Sequence, residues 1–246
     1  MRYFIDISYL GTNYHGWQIQ NNAITIQKKL EESLSILLRD KIKTIGCGRT
    51  DTGVHAISQV VHFDFDTIDE DNFIYRLNAI LPKDISVNSI KEVNKDANAR
   101  FDAISREYIY KIHIHKNPFL ENRSLFYKGK INLDLLNNAC KILMDSSNFQ
   151  SFSKVNTEVN NFKCAINFAR FNKLDNGFNF AISSNRFLRG MVRSIMGTLL
   201  DINEKKISLE HLSVIIKNKD RSGAGASVLP CGLYLSKVDY PKQIYI

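Results

Sequence analysis

The strongest constraint in this chain is an order of periodicities that occurs twice. Residues 2–10, RYFIDISYL, alternate apolar and polar with a period of two, which puts successive side chains on opposite faces of a strand. In TIQKKLEESLSILLRD the period changes. Ile26, Leu30, Leu34 and Leu37 line one face of a helix, and Thr25 is placed to cap it. KIKTIGCG and ISQVVHFDF then read as two strands. DEDNFIYRLNAILP reads as a second helix, with Asp69 at its cap, acidic residues in its first turn and Pro82 after its end. ISVNSIKEV closes the series as a strand. The order β-α-β-β-α-β predicts a ferredoxin-like lobe over residues 1–103.

Residues 104–246 repeat this order loosely. REYIYKIHIH alternates as a strand, and NLDLLNNACKILM is a helix with Asn132 as its cap. INFARFNKLDNGFNFAISSN holds two strands around an Asp-Asn-Gly turn. RFLRGMVRSIMGTLLD is a helix with Leu188, Met191, Val192, Ile195 and Leu199 on one face, and CGLYLSKVDY is a final strand. A short helix, SLEHLSVIIKN, and the loop KDRSGAGASVLP precede that strand. The expected fold class is α+β, built as two ferredoxin-like lobes. Each sheet needs helices on one face and leaves the other available, so two such faces side by side would form a cleft.

Charge divides along the same line. Residues 1–103 carry 12 Lys+Arg against 14 Asp+Glu, whereas residues 104–246 carry 21 against 11. A basic second half points to a polyanionic partner, nucleic acid first. No apolar run approaches the roughly 20 residues of a membrane span. The opening residues read as a strand rather than a signal peptide, which gives a cytoplasmic location by default. Cys47, Cys140, Cys164 and Cys231 are scattered without a CxxC, so neither a zinc ribbon nor a disulfide framework is indicated.

The first chemical motif is CGRTDTGVHA, residues 47–56, between two expected strands. Three readings compete: a plain turn, a metal or phosphate site, and a nucleophile on a shaped loop. A turn accounts for Asp51 and Gly53 but not for Arg49 or the Gly46 and Gly48 pair. The segment after GCGRTDTG alternates like a strand, so a nucleotide-phosphate loop is disfavoured. As a nucleophile, a carboxylate with a reference pKa of about 3.9 is ionised at neutral pH, and a neighbouring guanidinium keeps it so. Such a group can attack an electrophilic carbon, for example a sugar C1′ or an activated pyrimidine ring.

Three further stretches are candidates. SYLGTNYHGWQIQ gathers Tyr9, Tyr14, His15, Trp17, Gln18 and Gln20 around Gly11 and Gly16; it reads either as a base-stacking loop or as a loop tucking Trp17 into the core. In SREYIY, Tyr108 and Tyr110 share a strand face. In NRFLRGMVRSIMGTLL, Arg189 and Arg193 lie four apart on one helical face, Arg193 beside the apolar stripe, while Gly190 and Gly197 suggest the close approach of another backbone. Two other readings are a non-catalytic RNA-binding module and a metal-dependent hydrolase or ligand-binding protein using His55, His62 and Asp51.

Taken in order, GTNYHGWQIQ, GRTDTGVHA.SQVVHF, ARFDA..REYIY, NPFL, F.SF, RFLRGMVRSIMGTLL and RSGAGASVLPCGLYLSKVDYP resemble the signatures of the tRNA pseudouridine synthase A family across nearly the whole chain. The resemblance implies a cofactor-independent, metal-free isomerase that converts uridine to pseudouridine in the anticodon stem-loop of tRNA. It also implies a homodimer whose lobes join their sheets into one larger antiparallel surface. By the same resemblance Asp51 is the nucleophile, Arg193 its basic partner, Tyr108 a contact to the substrate base, Arg49 the residue that helps hold the target nucleotide out of its helix, and Leu233 an apolar wall of the pocket. Leu10 and Asn98 depart from the family, which usually has aspartate and histidine there.

Overall fold

The computed structural model describes residues 1–155 and 159–246 and shows a mixed α/β chain divided into two compact units. One unit comprises Met1–Ile104 with Tyr234–Ile246, and the other Ser105–Leu233. The first break falls one residue from the expected boundary at 103. The last segment differs: residues 234–246, expected in the second half, belong to the first unit. The reason lies in their partners. Tyr234 and Leu235 pair with His55 and Ala56, Asp239 O accepts from Ile104 N (2.8 Å), and Tyr240 Oη donates to Ala99 O (2.5 Å).

The first unit is built from β1 (Arg2–Tyr9), α1 (Ile26–Leu38), β2 (Ile45–Gly46), β3 (His55–Asp64), α2 (Glu70–Ile80) and β4 (Ile85–Val93). Its strands lie in the order β4-β1-β3-β2, each neighbouring pair antiparallel. Alternation in β1 buries Tyr3, Ile5, Ile7 and Tyr9, while α1 buries Ile26, Leu30 and Leu34, and α2 buries Phe73 and Leu77. Thr25 caps α1 through Lys28 N (3.4 Å), whereas Asp69, expected to cap α2, stands at its start without a side-chain cap hydrogen bond. The acidic first turn expected at Glu70 and Asp71 involves side chains outside those described. The strand expected over KIKTIGCG shrinks to two residues, because α1 side chains take the earlier backbone donors. Ser35 Oγ accepts from Ile42 N (3.0 Å) and Glu31 Oε1 from Thr44 N (2.8 Å).

The second unit contains β5 (Ser105–His113), β6 (Leu125–Phe126), α3 (Leu133–Met144), β7 (Ile166–Leu174), β8 (Gly177–Ser184), α4 (Met191–Asn203) and α5 (Leu209–Asn218). The antiparallel order is β7-β8-β5, with the short β6 parallel to β5. The Asp-Asn-Gly turn joins β7 to β8 with Leu174 opposite Gly177. A Cβ at Gly177 would stand 2.0 Å from Ile112 O, so the sheet there admits only glycine. Asn132 caps α3 through Leu135 N (3.1 Å) and Ser208 caps α5 through His211 N (3.3 Å). Phe149, Phe152, Phe180, Leu136, Ile195 and Leu199 are fully buried. The final strand of the chain is β9 (Leu233–Asp239), parallel to β3 at its start.

Candidate active site

The loop from Gly46 to His55 is held by the segment that follows β1. Trp17 N donates to Thr50 O (3.1 Å) and Gly53 N to Tyr14 O (3.3 Å). The Tyr9 and Thr50 hydroxyls share a 2.8 Å hydrogen bond. Two backbones then touch where glycine alone fits. A Cβ at Gly11 would lie 2.0 Å from Val54 O, and one at Gly16, where φ is +85°, 2.5 Å from Thr50 O. Within the loop, Val54 N donates to Asp51 O (3.1 Å) and Gly53 turns at φ +77°. The result is a fixed mount: Thr50 is buried, Asp51 half-buried and Arg49 exposed. Gln59, not among the sequence candidates, is buried on β3 and donates to Gly48 O (3.1 Å).

His55 belongs to this mount. It is fully buried, its Nδ1 accepts from Gly11 N (3.0 Å), and its ring packs on Tyr234 at 4.6 Å. A nitrogen that accepts cannot carry the proton, so the ring in this bond is neutral with its hydrogen on Nε2. The histidine ties β1's exit loop to the end of the Asp51 loop. The spacing alone gave no reason for it.

Two sequence readings are corrected here. The stretch around Trp17 is not a base-stacking loop in its aromatic members: Tyr9, Tyr14 and Trp17 are 3%, 5% and 1% exposed. Trp17 stacks on Tyr9 at 6.5 Å, and a Cβ at Gly46 would meet its indole at 2.8 Å, which explains that glycine. The metal reading through His55, His62 and Asp51 also loses its geometry. The two histidines stand seven residues apart along β3, roughly 20 Å at strand rise, and each Nδ1 already accepts a backbone N–H, His62 from Ala99 (3.0 Å). Among the described residues no group of three or more His, Cys, Asp or Glu is placed to hold a metal ion. Burial pushes His62 down to about 4, with Arg2 adding to the effect.

In the second unit the candidates converge on one end of α4. That helix starts at Met191, so Arg189 precedes it rather than sharing a face with Arg193. Gly190 causes this, entering the helix at φ +72°; a Cβ there would meet nothing within 4 Å, so backbone conformation and not close approach requires it. Gly197 is the opposite case, since its Cβ would lie 1.8 Å from Ala226 O. The loop over residues 224–229 is therefore pressed against α4. Thr198 Oγ1 accepts from Gly225 N (2.8 Å) and donates to Ser194 O (2.9 Å). Val228 N donates to Arg193 O (3.2 Å), and Arg193 Nε donates to Val228 O (2.8 Å). The half-buried guanidinium is thus oriented by the loop, which also bonds the Arg193 backbone.

Tyr110 extends this assembly. It is fully buried and donates to Leu229 O (2.8 Å). Burial holds its phenol well above the ordinary range, with Cys231 adding to this and Arg193 opposing it. Gly232 packs on it, a Cβ there meeting the Tyr110 ring and Lys111 O at 2.8 Å, and so sets the entry of buried Leu233 into β9. Tyr108, two residues from Tyr110 on β5, is only half-buried and meets Phe187 edge-on at 5.1 Å. Asp51 and Arg49 therefore sit on one loop of the first unit, and Tyr108, Arg193 and Leu233 belong to the second. Of the two departures, Leu10 donates through its backbone to Asp84 O (2.9 Å), while Asn98 Oδ1 accepts from both Arg100 N (2.9 Å) and Phe101 N (3.2 Å).

Comparison with known proteins adds an independent finding. A family model described as tRNA pseudouridine synthase matches residues 6–102 and 139–241. The chain is similar to a protein named tRNA pseudouridine synthase A from Parabacteroides distasonis, 43% identical over 248 residues, covering 99% of this chain and 98% of that one. It is 44% identical over 245 residues to the protein of the same name from Azobacteroides pseudotrichonymphae, with the same two coverages. Against the one from Bacteroides fragilis it is 44% identical over 249 residues, 99% of this chain and 98% of that one.

Proposed function

The chain belongs to the tRNA pseudouridine synthase family, isomerases that convert uridine to pseudouridine in tRNA, and on that premise we propose that Asp51 is the group that starts the reaction. The carrying observation is the mount itself. A half-buried carboxylate stands on a loop fixed by Tyr9, Tyr14, Trp17 and His55, the preorganisation that an attacking group needs. The reaction breaks the N1–C1′ bond and forms C5–C1′. The C5 hydrogen leaves as a proton and N1 takes one up, so atoms and electrons balance without an external oxidant or reductant. An ionised Asp51 has three routes open to it: attack at C1′, removal of a 2′ proton, or addition to C6 of the ring.

In this proposal Arg193 is the basic partner of Asp51, Tyr108 contacts the uracil, and Leu233 forms an apolar wall. Taking a base out of its stack costs a few kcal/mol, roughly, and Arg49, exposed two residues from Asp51, helps offset that cost. The two-lobe ferredoxin-like reading is supported in the first unit by the order β4-β1-β3-β2 with two helices. The target within tRNA is the anticodon stem-loop, and the protein works as a cytoplasmic homodimer. Among the described residues, no helix is long and apolar enough to cross a membrane.

A map of pseudouridine in tRNA from cells with and without the gene tests the proposal. Loss confined to the anticodon stem-loop supports it. Loss at other sites overturns the target, and tRNA binding with no loss anywhere favours a non-catalytic RNA-binding protein.

A further inference from the structure

The second unit carries a basic, aromatic surface that the proposed chemistry does not use. Residues 115–130, HKNPFLENRSLFYKGK, hold four Lys+Arg and one acid. Lys116, Arg123, Lys128 and Lys130 are all exposed. Phe119 is 82% exposed and Phe126 41%. Exposed apolar surface rimmed by polar and charged groups marks an interaction site.

The segment is preformed. Asn117 Oδ1 accepts from Phe119 N (3.0 Å), and Leu120 O accepts from Arg123 N (3.0 Å). Leu125 and Phe126 pair in parallel with Ile112 and His113. Farther along, Tyr127 Oη donates to Glu204 Oε1 (3.0 Å), and Asn203 Nδ2 donates to Lys130 O (2.8 Å), tying the segment to the end of α4. Phe126 is stacked on the His113 ring at 5.3 Å and 18°, and the Lys128 ammonium lies 5.9 Å from its centroid. His113 itself is buried, its Nδ1 makes no hydrogen bond, and its ring lies in the stack with Phe126.

We propose that this arch, residues 113–130, is an RNA-docking surface on which Lys116, Lys128 and Lys130 engage phosphates of the tRNA and Phe119 packs on a base or ribose. The inference rests on the reading of tRNA as substrate and says where part of the RNA lies. Charge selects the partner. A second copy meeting this face through a two-fold axis would set lysines against lysines, with Glu121 the one acid of residues 115–130 to offset them. A polyanion with flat, stackable bases satisfies both the lysines and the exposed ring.

The test compares the wild type with Lys116→Gln/Lys128→Gln/Lys130→Gln, with Lys128→Gln alone, and with Phe119→Ala. For each, tRNA affinity is measured across a salt series, turnover by tritium release from tRNA carrying 5-labelled uridine, and oligomeric state by light scattering. Three lost phosphate contacts should lower the slope of log affinity against log salt by about 2–3. KM should rise about 10-fold or more with kcat held at saturating tRNA, and Phe119→Ala should raise KM by a few-fold, roughly. Unchanged affinity and slope in variants that turn over tRNA like the wild type would overturn the docking surface alone. A changed oligomeric state with unchanged affinity would also overturn it, in favour of a contact between copies. A wild type that releases no tritium would instead overturn the proposed activity.

Discussion

The loop bearing Asp51 and the helix end bearing Arg193 are both rigid, but by different means. Asp51 stands on a loop with no regular structure of its own, and residues 9–17 clamp it by close backbone contact at Gly11 and Gly16 together with hydrogen bonds to Thr50, Gly53 and His55. Around Arg193 the clamp is backbone contact, with Gly197 and Gly225 letting residues 224–229 lie against α4, and hydrogen bonds only finishing it. A group on an irregular loop has no helix or ladder to hold it, so it must borrow donors and acceptors. A group on a helix is already held along the axis and needs only one close wall. Both mounts should therefore be sensitive to the gain of a carbon atom, at Gly11 or Gly16 in the first and at Gly197 in the second, and the first also to the loss of an acceptor.

Gly197→Ala is the sharpest way to break the second mount. The new Cβ has to displace Ala226 O from 1.8 Å, and the loop carrying Val228 must move with it. Stability should fall by about 1–3 kcal/mol, and kcat by roughly 10- to 100-fold through misplacement of Arg193. Denaturant melts with single-turnover kinetics check both. Full activity in this variant would mean that the loop does not position the arginine.

His55→Phe removes the acceptor from the first mount while keeping a ring against Tyr234. The Gly11 N–H is then buried without a partner, a loss of about 1–3 kcal/mol. The drop in kcat should exceed any change in tRNA affinity. Equal losses in kcat and binding would mean that the histidine supports the whole unit rather than the Asp51 loop.

A smaller effect separates His55 from the second buried histidine of β3. His62 titrates at about 4 in the folded protein because burial disfavours its charged form. The unfolded chain takes up that proton nearer pH 6.5. Between those values the unfolded state binds more protons, so stability conferred by the neutral ring is present above about pH 6.5 and is lost as pH falls toward 4. The loss should reach roughly 2–3 kcal/mol. In His62→Asn, whose side-chain oxygen can still accept from Ala99 N, this part of the pH dependence of melting should disappear, with turnover at neutral pH little changed.

Much of this was legible in the chain. Period-two alternation in β1 and the caps at Thr25 and Asn132 located strands and helices. The glycines of the first motif announced a loop of special shape. What periodicity could not give is partnership across the sequence. Nothing local ties His55 to Gly11, Gly197 to Ala226 or Tyr240 to Ala99, and each pair decides a placement. Gly190 and Gly197 look alike in the sequence, yet one serves a positive φ and the other a contact. The same limit explains Trp17: a rich aromatic loop reads as a binding surface until Gly46 is seen to make room for the indole.

The central claim is that an ionised carboxylate at position 51 begins the reaction. Tritium release from 5-labelled uridine in tRNA, measured for Asp51→Asn and Asp51→Ala beside direct tRNA binding, tests it most directly. Loss of release by a factor of about 1,000 or more with binding retained is the predicted result. Release at the wild-type rate in either variant would contradict it.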